Sequence, residues 1–350
     1  MRILLLLLLC VFSSGYHVNR LVHRGKTILN ANKVPPMWKL VSSPLKEQAR
    51  QWFIKRAALK GIDWNKITDV YKLPSSMAEL ESLKHRLENK TICYPEYFLQ
   101  PFHGYDEGNM NWLAAQENEA AALSMSANYW KDVLAMDSEQ WVRHNVTKNV
   151  RNYLRQNDLV DPAYILDVGC SGGISTEYIS RGFPNATYIY GLDLSPYFVA
   201  VGAFRANKSN YKDIRYIHAN AERTSFQDGS FQLIICNFLF HEVPQDATQV
   251  ILREIYRLLS LNGVVAIVDL DPETLRSDRL LSQFRRWAFE VTEPHIYGYY
   301  ESNMTASLEK NGFQNLHRVK NDPINSIWFG TKCEERSVRN EVWGAKCKKR

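Results

Sequence analysis

Asp167-Val168-Gly169-Cys170-Ser171-Gly172-Gly173 follows the apolar run 164–166, and a second carboxylate, Asp193, stands near the end of the apolar run 188–194. The pattern is that of a strand, a glycine-rich turn, a helix and a second strand ending in an acid. Glycine suits such a turn because a Cβ would hold the backbone away from a ligand and would penalise positive φ. The helix behind the turn offers unpaired N–H groups at its N-terminus. An acid at the tip of the second strand can accept both hydroxyls of a ribose. These residues together predict a site for a nucleotide-type cofactor at the edge of a sheet.

Two cofactors fit that chemistry. Nicotinamide enzymes use Gly-x-Gly-x-x-Gly, and here Ser171 and Ile174 occupy the second and third glycine positions after Gly169. Asp167, Gly169 and Gly173 instead match the Asp-x-Gly-x-Gly-x-Gly of S-adenosylmethionine-dependent methyltransferases, with Ser171 at the middle glycine. Downstream, His218-Ala-Asn-Ala-Glu222 and the stretch 225–242, which holds Phe226, Asp228, Phe231, Asn237, His241 and Glu242, resemble the third and fourth motifs of the class I members of that family. The resemblance continues through a helix rich in Leu, Ile and Arg over 247–259, the Asn262-Gly263 turn and a strand over 264–270. It closes with Gly312-Phe313 and a strand pair around Leu316 and Trp328, and covers 161–332, about half of the chain.

The resemblance implies an α/β fold: a doubly wound, seven-stranded, mostly parallel sheet, Rossmann-like, preceded by an N-terminal helical cap. It implies S-adenosyl-L-methionine as cofactor, held by Asp167, Gly169, Cys170, Ser171 and Gly173 in the turn and by Asp193 at the ribose. Asn220 replaces the usual Asp at the adenine amine, and its carbonyl can accept the same bond. Leu194 and Ala221 would sandwich the adenine, although Leu194 fits plain core packing equally well. Open α/β sheets bind ligands outside the carboxyl ends of their strands, which brings Asn237, His241 and residues 269–271 to the same edge.

Methyl transfer is an in-line displacement on an activated sulfonium, so the protein mainly supplies alignment and desolvation. A base is needed only for a phenol, hydroxyl or protonated amine. His241 is the first candidate, since a neutral imidazole takes a proton near neutral pH; its bland role is to cap or pack the helix after Pro244. Asp269 is the second candidate. Asp271 precedes Pro272 and reads better as a helix N-cap. His295 and Tyr297 lie in a loop able to close the pocket. No metal-ligand spacing, Ser/His/Asp triad or phosphate loop is visible in the sequence.

Within the family, the chain is most similar to the small-molecule branch related to ubiquinone and menaquinone methyltransferases. Residues 94–98, 101–109, 191–198, 240–242 and 292–295 further resemble plastid methyltransferase-like proteins of plants and algae. The expected partner is a small-molecule acceptor, aromatic, isoprenoid or lipid-like, and the sequence assigns no oligomeric state. A macromolecule methyltransferase is disfavoured because 237–240, Asn-Phe-Leu-Phe, lack the Asn/Asp-Pro-Pro-aromatic signature of amino-methylating enzymes. A non-catalytic cofactor-binding or assembly protein shares the same motifs and stays open.

The N-terminus is read as a leader. Met1-Arg2, the apolar run 3–12 and the small residues 13–15 have the form of a signal peptide, too short to span a bilayer well. Residues 16–46 carry no Asp or Glu and resemble a transit peptide. The two-part leader predicts plastid import, with secretion or the endomembrane lumen as the alternative. Without residues 1–46 the chain holds 36 Lys and Arg against 37 Asp and Glu, so the pI of about 8.9 belongs to the leader and no nucleic-acid surface is expected. No later segment reaches about 20 apolar residues, so no integral membrane association is expected.

After Cys10, five cysteines remain without close pairs, which suits a reducing or neutral compartment; a Cys333–Cys347 bridge in the tail is open to the chain but not indicated, and Cys170 and Cys236 read as small core residues. The region 47–160 is expected to be helical, with helices over 45–60, 112–133 and 138–156, and one opened by a capping box at Ser76. The loop 94–109 and Trp112 are expected to lay Phe102, His103, Tyr105 and Trp112 over the site. Residues 161–332 form the catalytic domain, and 333–350 a basic tail.

Overall fold

The computed structural model describes residues 43–130, 133–211, 213–276 and 293–334. The predicted signal peptide 1–15, residues 16–42 of the predicted leader 16–46, most of the basic tail and residues 277–292 lie outside the described residues; 43–46 open helix α1. Helices α1 (Ser43–Ala58), α2 (Trp64–Lys72), α3 (Pro74–Leu87), α4 (Trp112–Ser126) and α5 (Ala135–Gln156) precede β1 (Tyr164–Val168). Then follow α6 (Ile174–Gly182), β2 (Tyr188–Asp193), α7 (Pro196–Lys208), β3 (Ile214–His218), β4 (Phe231–Asn237), α8 (Gln245–Leu258) and β5 (Leu259–Leu270). The short helices α9 (Pro272–Arg276), α10 (Ile296–Glu301) and α11 (Met304–Lys310) lead to β6 (Gln314–Lys320) and β7 (Asn325–Thr331).

The seven strands are ordered β3-β2-β1-β4-β5-β7-β6, with β7 antiparallel to both of its neighbours and the other pairs parallel. This is the expected doubly wound, mostly parallel sheet. The central strands read as continuous apolar runs because helices cover both faces. One face packs on α8, α10 and α11 through Leu252, Ile255, Ile296 and Leu308; the other packs on α5 and α6 through Val150, Leu154 and Ile179. Strand order reverses between β1 and β4, so a crevice is expected outside their carboxyl ends.

Helices α2, α3 and α4 pack on the outer side of α7, where Tyr71, Leu80, Leu83, Ala114 and Ala115 meet Phe198, Ala200, Val201 and Phe204. That explains why α7 is apolar nearly all round, the mark of a helix buried on two sides. Helix α4 also reaches the glycine-rich turn, where a Cβ at Gly172 would lie 2.9 Å from Asn118 Oδ1. Arg205 ties the layers together, bonding Glu177 of α6 at 3.0 Å, the Tyr71 hydroxyl of α2 at 3.2 Å and Glu119 of α4.

Three local expectations change. Ser76 opens no capping box; it is buried in the first turn of α3, which starts at Pro74, whose fixed φ suits that position. Helix α2 is additional, capped by the Asp63 side chain accepting the Lys66 N–H at 3.0 Å. Cys333 is disulfide-bonded, a bridge that the cysteine spacing allowed but did not indicate, whereas Cys93, Cys170 and Cys236 are free. Among the described residues no helix is long and apolar enough to cross a membrane.

Candidate functional site

The turn after β1 is shaped by three positive φ angles, +71° at Gly169, +49° at Ser171 and +84° at Gly173. At Gly173 a Cβ would lie 2.1 Å from the Tyr216 hydroxyl, and at Gly169 one would lie 3.1 Å from Leu239. The turn therefore needs glycine for both conformation and space. Asp167 is fully buried under it, accepting Ser175 Oγ at 2.6 Å, Thr176 Oγ1 at 2.7 Å and Asn237 Nδ2 at 3.3 Å. Burial raises its pKa against those three bonds, and its role is to brace the turn from below. The Cys170 side chain is likewise buried.

Asp193 at the tip of β2 reaches across to the turn. Its Oδ2 accepts the Ser171 N–H at 2.9 Å and its Oδ1 accepts the Ser195 N–H at 2.8 Å. Each carboxylate oxygen keeps further acceptor capacity, the arrangement that two vicinal hydroxyls require. Burial pushes its pKa up to about 6, opposed by the two N–H groups. Asn220 folds its Oδ1 onto the Glu222 N–H at 2.8 Å, Ala221 packs against the main core, and Leu194 is half-buried with its carbonyl 3.0 Å from His218 Nε2. The Asn237 Oδ1 is buried without a hydrogen-bond partner. A positive-φ turn, a two-oxygen acceptor and an orphaned carbonyl at one switch point fit an adenosyl cofactor.

Asp269 does not face the crevice as a candidate base. It is fully buried, and its carboxylate takes the backbone N–H groups of Phe240 at 2.9 Å, His241 at 3.3 Å and Leu270 at 2.7 Å. It also holds His241 Nδ1 at 2.7 Å, so the two catalytic candidates form one dyad at the ends of β4 and β5. Burial would depress the His241 pKa; the Asp269 carboxylate, helped by Glu293 and Glu242, overrides it and raises the pKa to about 9. The strand exit that places His241 is strained, since Phe238 has φ +60°, a costly conformation for a large side chain. Asp271 is the N-cap of α9, accepting the Glu273 N–H at 2.9 Å and Arg318 at 2.7 Å, which with Lys320 and Ser326 hold its carboxyl below the usual carboxylate range.

The cover over this edge is the segment 89–109. The Asn89 N–H donates to His218 Nδ1 at 2.9 Å, Tyr97 donates to Glu222 at 2.5 Å, and Ser195 donates to the Asn109 carbonyl at 2.6 Å. Phe102 and Tyr105 exchange backbone bonds of 3.1 and 2.8 Å around His103-Gly104, both at positive φ as in a type I′ turn. The turn tip presents His103 Nε2 to Glu293 at 2.8 Å and to Glu242 at 3.6 Å. His103 thus reaches Glu293 and Glu242, and the Phe102 ring lies against it, 3.9 Å between ring centroids. Tyr105 instead donates to buried Glu117 at 2.7 Å, and Trp112 donates to Glu81 and packs on Tyr197, because the α3–α4–α7 layer offers those rings a dry surface with acceptors. His295 is near Tyr97, edge to face at 6.0 Å, while Tyr297 is exposed.

Glu242 and Glu293 are the site residues that the motif reading did not single out. Burial pushes the Glu242 pKa up to about 7, against the pull of His103 and His241. The one available signal was that Glu242 follows His241 and that Glu293 lies two positions before His295.

Comparison with known proteins agrees with this geometry. Residues 166–267 match the family model Methyltransf_11, Methyltransferase domain. The chain is 31% identical over 106 residues to an uncharacterised methyltransferase of Synechocystis sp., covering 30% of this chain and 46% of that protein. It is 29% identical over 119 residues to the demethylmenaquinone methyltransferase of Geobacillus sp., covering 34% and 50%. The chain thus spans about half the length of the curated relatives it matches. Among solved structures, phosphoethanolamine N-methyltransferase 2 of Haemonchus contortus with S-adenosyl-L-methionine aligns at TM-score 0.42 and 16% identity, over 53% of this chain and 52% of that one, too distant to carry function.

Proposed function

We propose that this chain, which carries a class I S-adenosylmethionine-dependent methyltransferase domain, transfers a methyl group to a small-molecule acceptor. The observation that carries the reading is Asp193 bonded to Ser171 across the glycine turn, with the His241–Asp269 dyad on the same sheet edge. When bound, the cofactor supplies an electrophilic methyl group on a sulfonium. Asp193 would hold its ribose, residues 169–173 would border its methionine part, and Asn220 and Ala221 its adenine.

The chain's own groups supply placement and a proton acceptor. Asp269 holds Nδ1 of His241 and so fixes the orientation of the imidazole that would exchange a proton with an acceptor. Burial of the dyad excludes bulk water from that exchange. A base so deeply set, under the 89–109 segment, favours a small acceptor over a residue on a macromolecule. Tyr97 and Phe102 in that segment support an acceptor with an aromatic or apolar portion.

The deciding experiment is calorimetric titration of the purified chain with S-adenosylmethionine, S-adenosylhomocysteine and NADH, followed by transfer of a labelled methyl group to small-molecule extracts. Binding of the first two ligands with labelled product supports the reading. NADH binding alone overturns it, and cofactor binding without product in any extract would assign a non-catalytic role. For location we propose plastid import on the strength of the two-part leader, testable by fusing residues 1–46 to a fluorescent protein; retention in the endomembrane lumen would refute it.

A further inference from the structure

Glu293 is a deeply buried acid at the site, 2% exposed at its side chain. One carboxylate oxygen, Oε1, is 2.8 Å from His103 Nε2. The other, Oε2, is buried with no hydrogen-bond partner. A buried, unsatisfied carboxylate oxygen is costly, by far more than a made bond returns, so such an atom is retained where something else satisfies it. His295, two residues on, has its Nε2 buried and unpartnered as well.

The surroundings say what that something is. Glu242 and His103 flank Glu293, and His241 lies close enough for its charge to act on His103 and to feel both Glu242 and Glu293. Glu242 in turn feels the charge of Asp193 at the cofactor edge. An anionic acceptor group would meet repulsion from Glu242 and Glu293 together. An ether or ketone oxygen would leave Oε2 unsatisfied. A hydroxyl or amine would fill it.

We propose that Glu293 is a specificity-determining residue of the acceptor site: its Oε2 takes a hydrogen bond from an O–H or N–H group on the acceptor, while His103 fixes the carboxylate. The proposal deepens the methyltransferase reading and rests on it. It assigns the acceptor to molecules with a hydrogen-bond donor on the portion that enters the site, in addition to any apolar portion. His103, about 41% exposed at its side chain, sits on the outer side of the carboxylate, so the ligand-facing oxygen is the inner one.

The test uses the full chain loaded with S-adenosylhomocysteine and four probes: hydroquinone, benzylamine, anisole and benzoate, followed by ligand-observed NMR. Hydroquinone or benzylamine is expected to bind, and the better of the two distinguishes a neutral from a cationic donor. Anisole and benzoate are expected to bind at least about tenfold more weakly, as a hydrogen bond to a charged group implies. Glu293→Gln should weaken the preferred probe about tenfold while leaving S-adenosylhomocysteine affinity unchanged. If that variant does not fold, Glu293→Asp, which retains the charge but withdraws it, serves the same comparison. Anisole binding as well as hydroquinone, or equal probe affinity in the variants, overturns the proposal. Loss of S-adenosylhomocysteine binding by the unmodified chain would instead overturn the methyltransferase reading.

Discussion

His241 Nδ1 lies 2.7 Å from Asp269 Oδ1, a contact made by two strand ends 28 residues apart, and the same carboxylate also accepts three backbone N–H groups. Asp269 therefore fixes the strand-exit backbone and the imidazole at once. It sets the tautomer and the charge of the residue that the acceptor would meet.

That relationship predicts a shift in pH dependence. With Asp269 in place the imidazolium persists to about pH 9, so a His241-dependent rate rises with pH through that region. Asp269→Asn removes the largest charge holding the proton but leaves His241 buried beside Glu242 and Glu293, so the rising limb should move down from about 9 toward the ordinary histidine value of about 6.5. The amide also turns an N–H toward donors, at a cost of about 1–3 kcal/mol. Imidazole proton NMR across pH 5–10 checks the titration directly; an unchanged midpoint in the variant would refute the dyad.

Asp193→Asn should separate binding from stability. The carboxylate is raised to about 6 by burial, so its ionised form burdens the fold near neutral pH. The amide relieves that burden but turns an N–H toward the Ser171 or Ser195 N–H, at a cost of about 1–3 kcal/mol, so Tm should change little while cofactor affinity falls about a hundredfold. Calorimetry and thermal melts on the same preparation give both quantities. Binding should also weaken as pH drops below about 6, where Asp193 takes a proton.

Gly173→Ala should unfold the turn. The added Cβ meets the Tyr216 hydroxyl at 2.1 Å and its ring carbon at 2.8 Å, at a φ of +84°. A loss of about 3 kcal/mol or more is expected from clash and backbone strain together. Adding Tyr216→Phe should restore part of it, measured by denaturant midpoints, because one of the two close contacts disappears.

Stability should decline as pH rises. His241, at about 9, holds its proton more tightly folded than unfolded, so its contribution is complete below about 6.5 and lost through 9. Glu242, at about 7, and Asp193, at about 6, are acids raised in the same sense, and their loss runs from about 4 up to those values. Thermal melts from pH 5 to 9.5 should show the decline, with Glu242→Gln flattening its acidic part and His241→Gln its alkaline part.

The local features of the cofactor edge were legible in the chain. The glycine spacing after β1, the acid ending β2 and the continuous apolar strands are consequences of backbone conformation and of two-sided burial, and both leave marks at short range. The seven-stranded, doubly wound sheet was implied by the family resemblance of those motifs, and the strand order was seen only in the structure. By themselves, residues 94–109 read only as a loop rich in aromatics, glycine and proline. What places that loop is a set of contacts with partners over 80 residues away, such as Ser195 with Asn109.

The sequence alone determined that a positive-φ turn and an acid would meet at the switch point, because steric limits on φ and the alternation of strand and helix act residue by residue. Tertiary structure decided the rest. It made Asp269 a partner of His241 rather than a second base, turned Tyr105 and Trp112 into the helical layer, and left Glu293 with a buried, unpaired oxygen. Each of those outcomes depends on which distant groups share a low-dielectric space, and the desolvation that governs them has no counterpart in the spacing of residues along the chain.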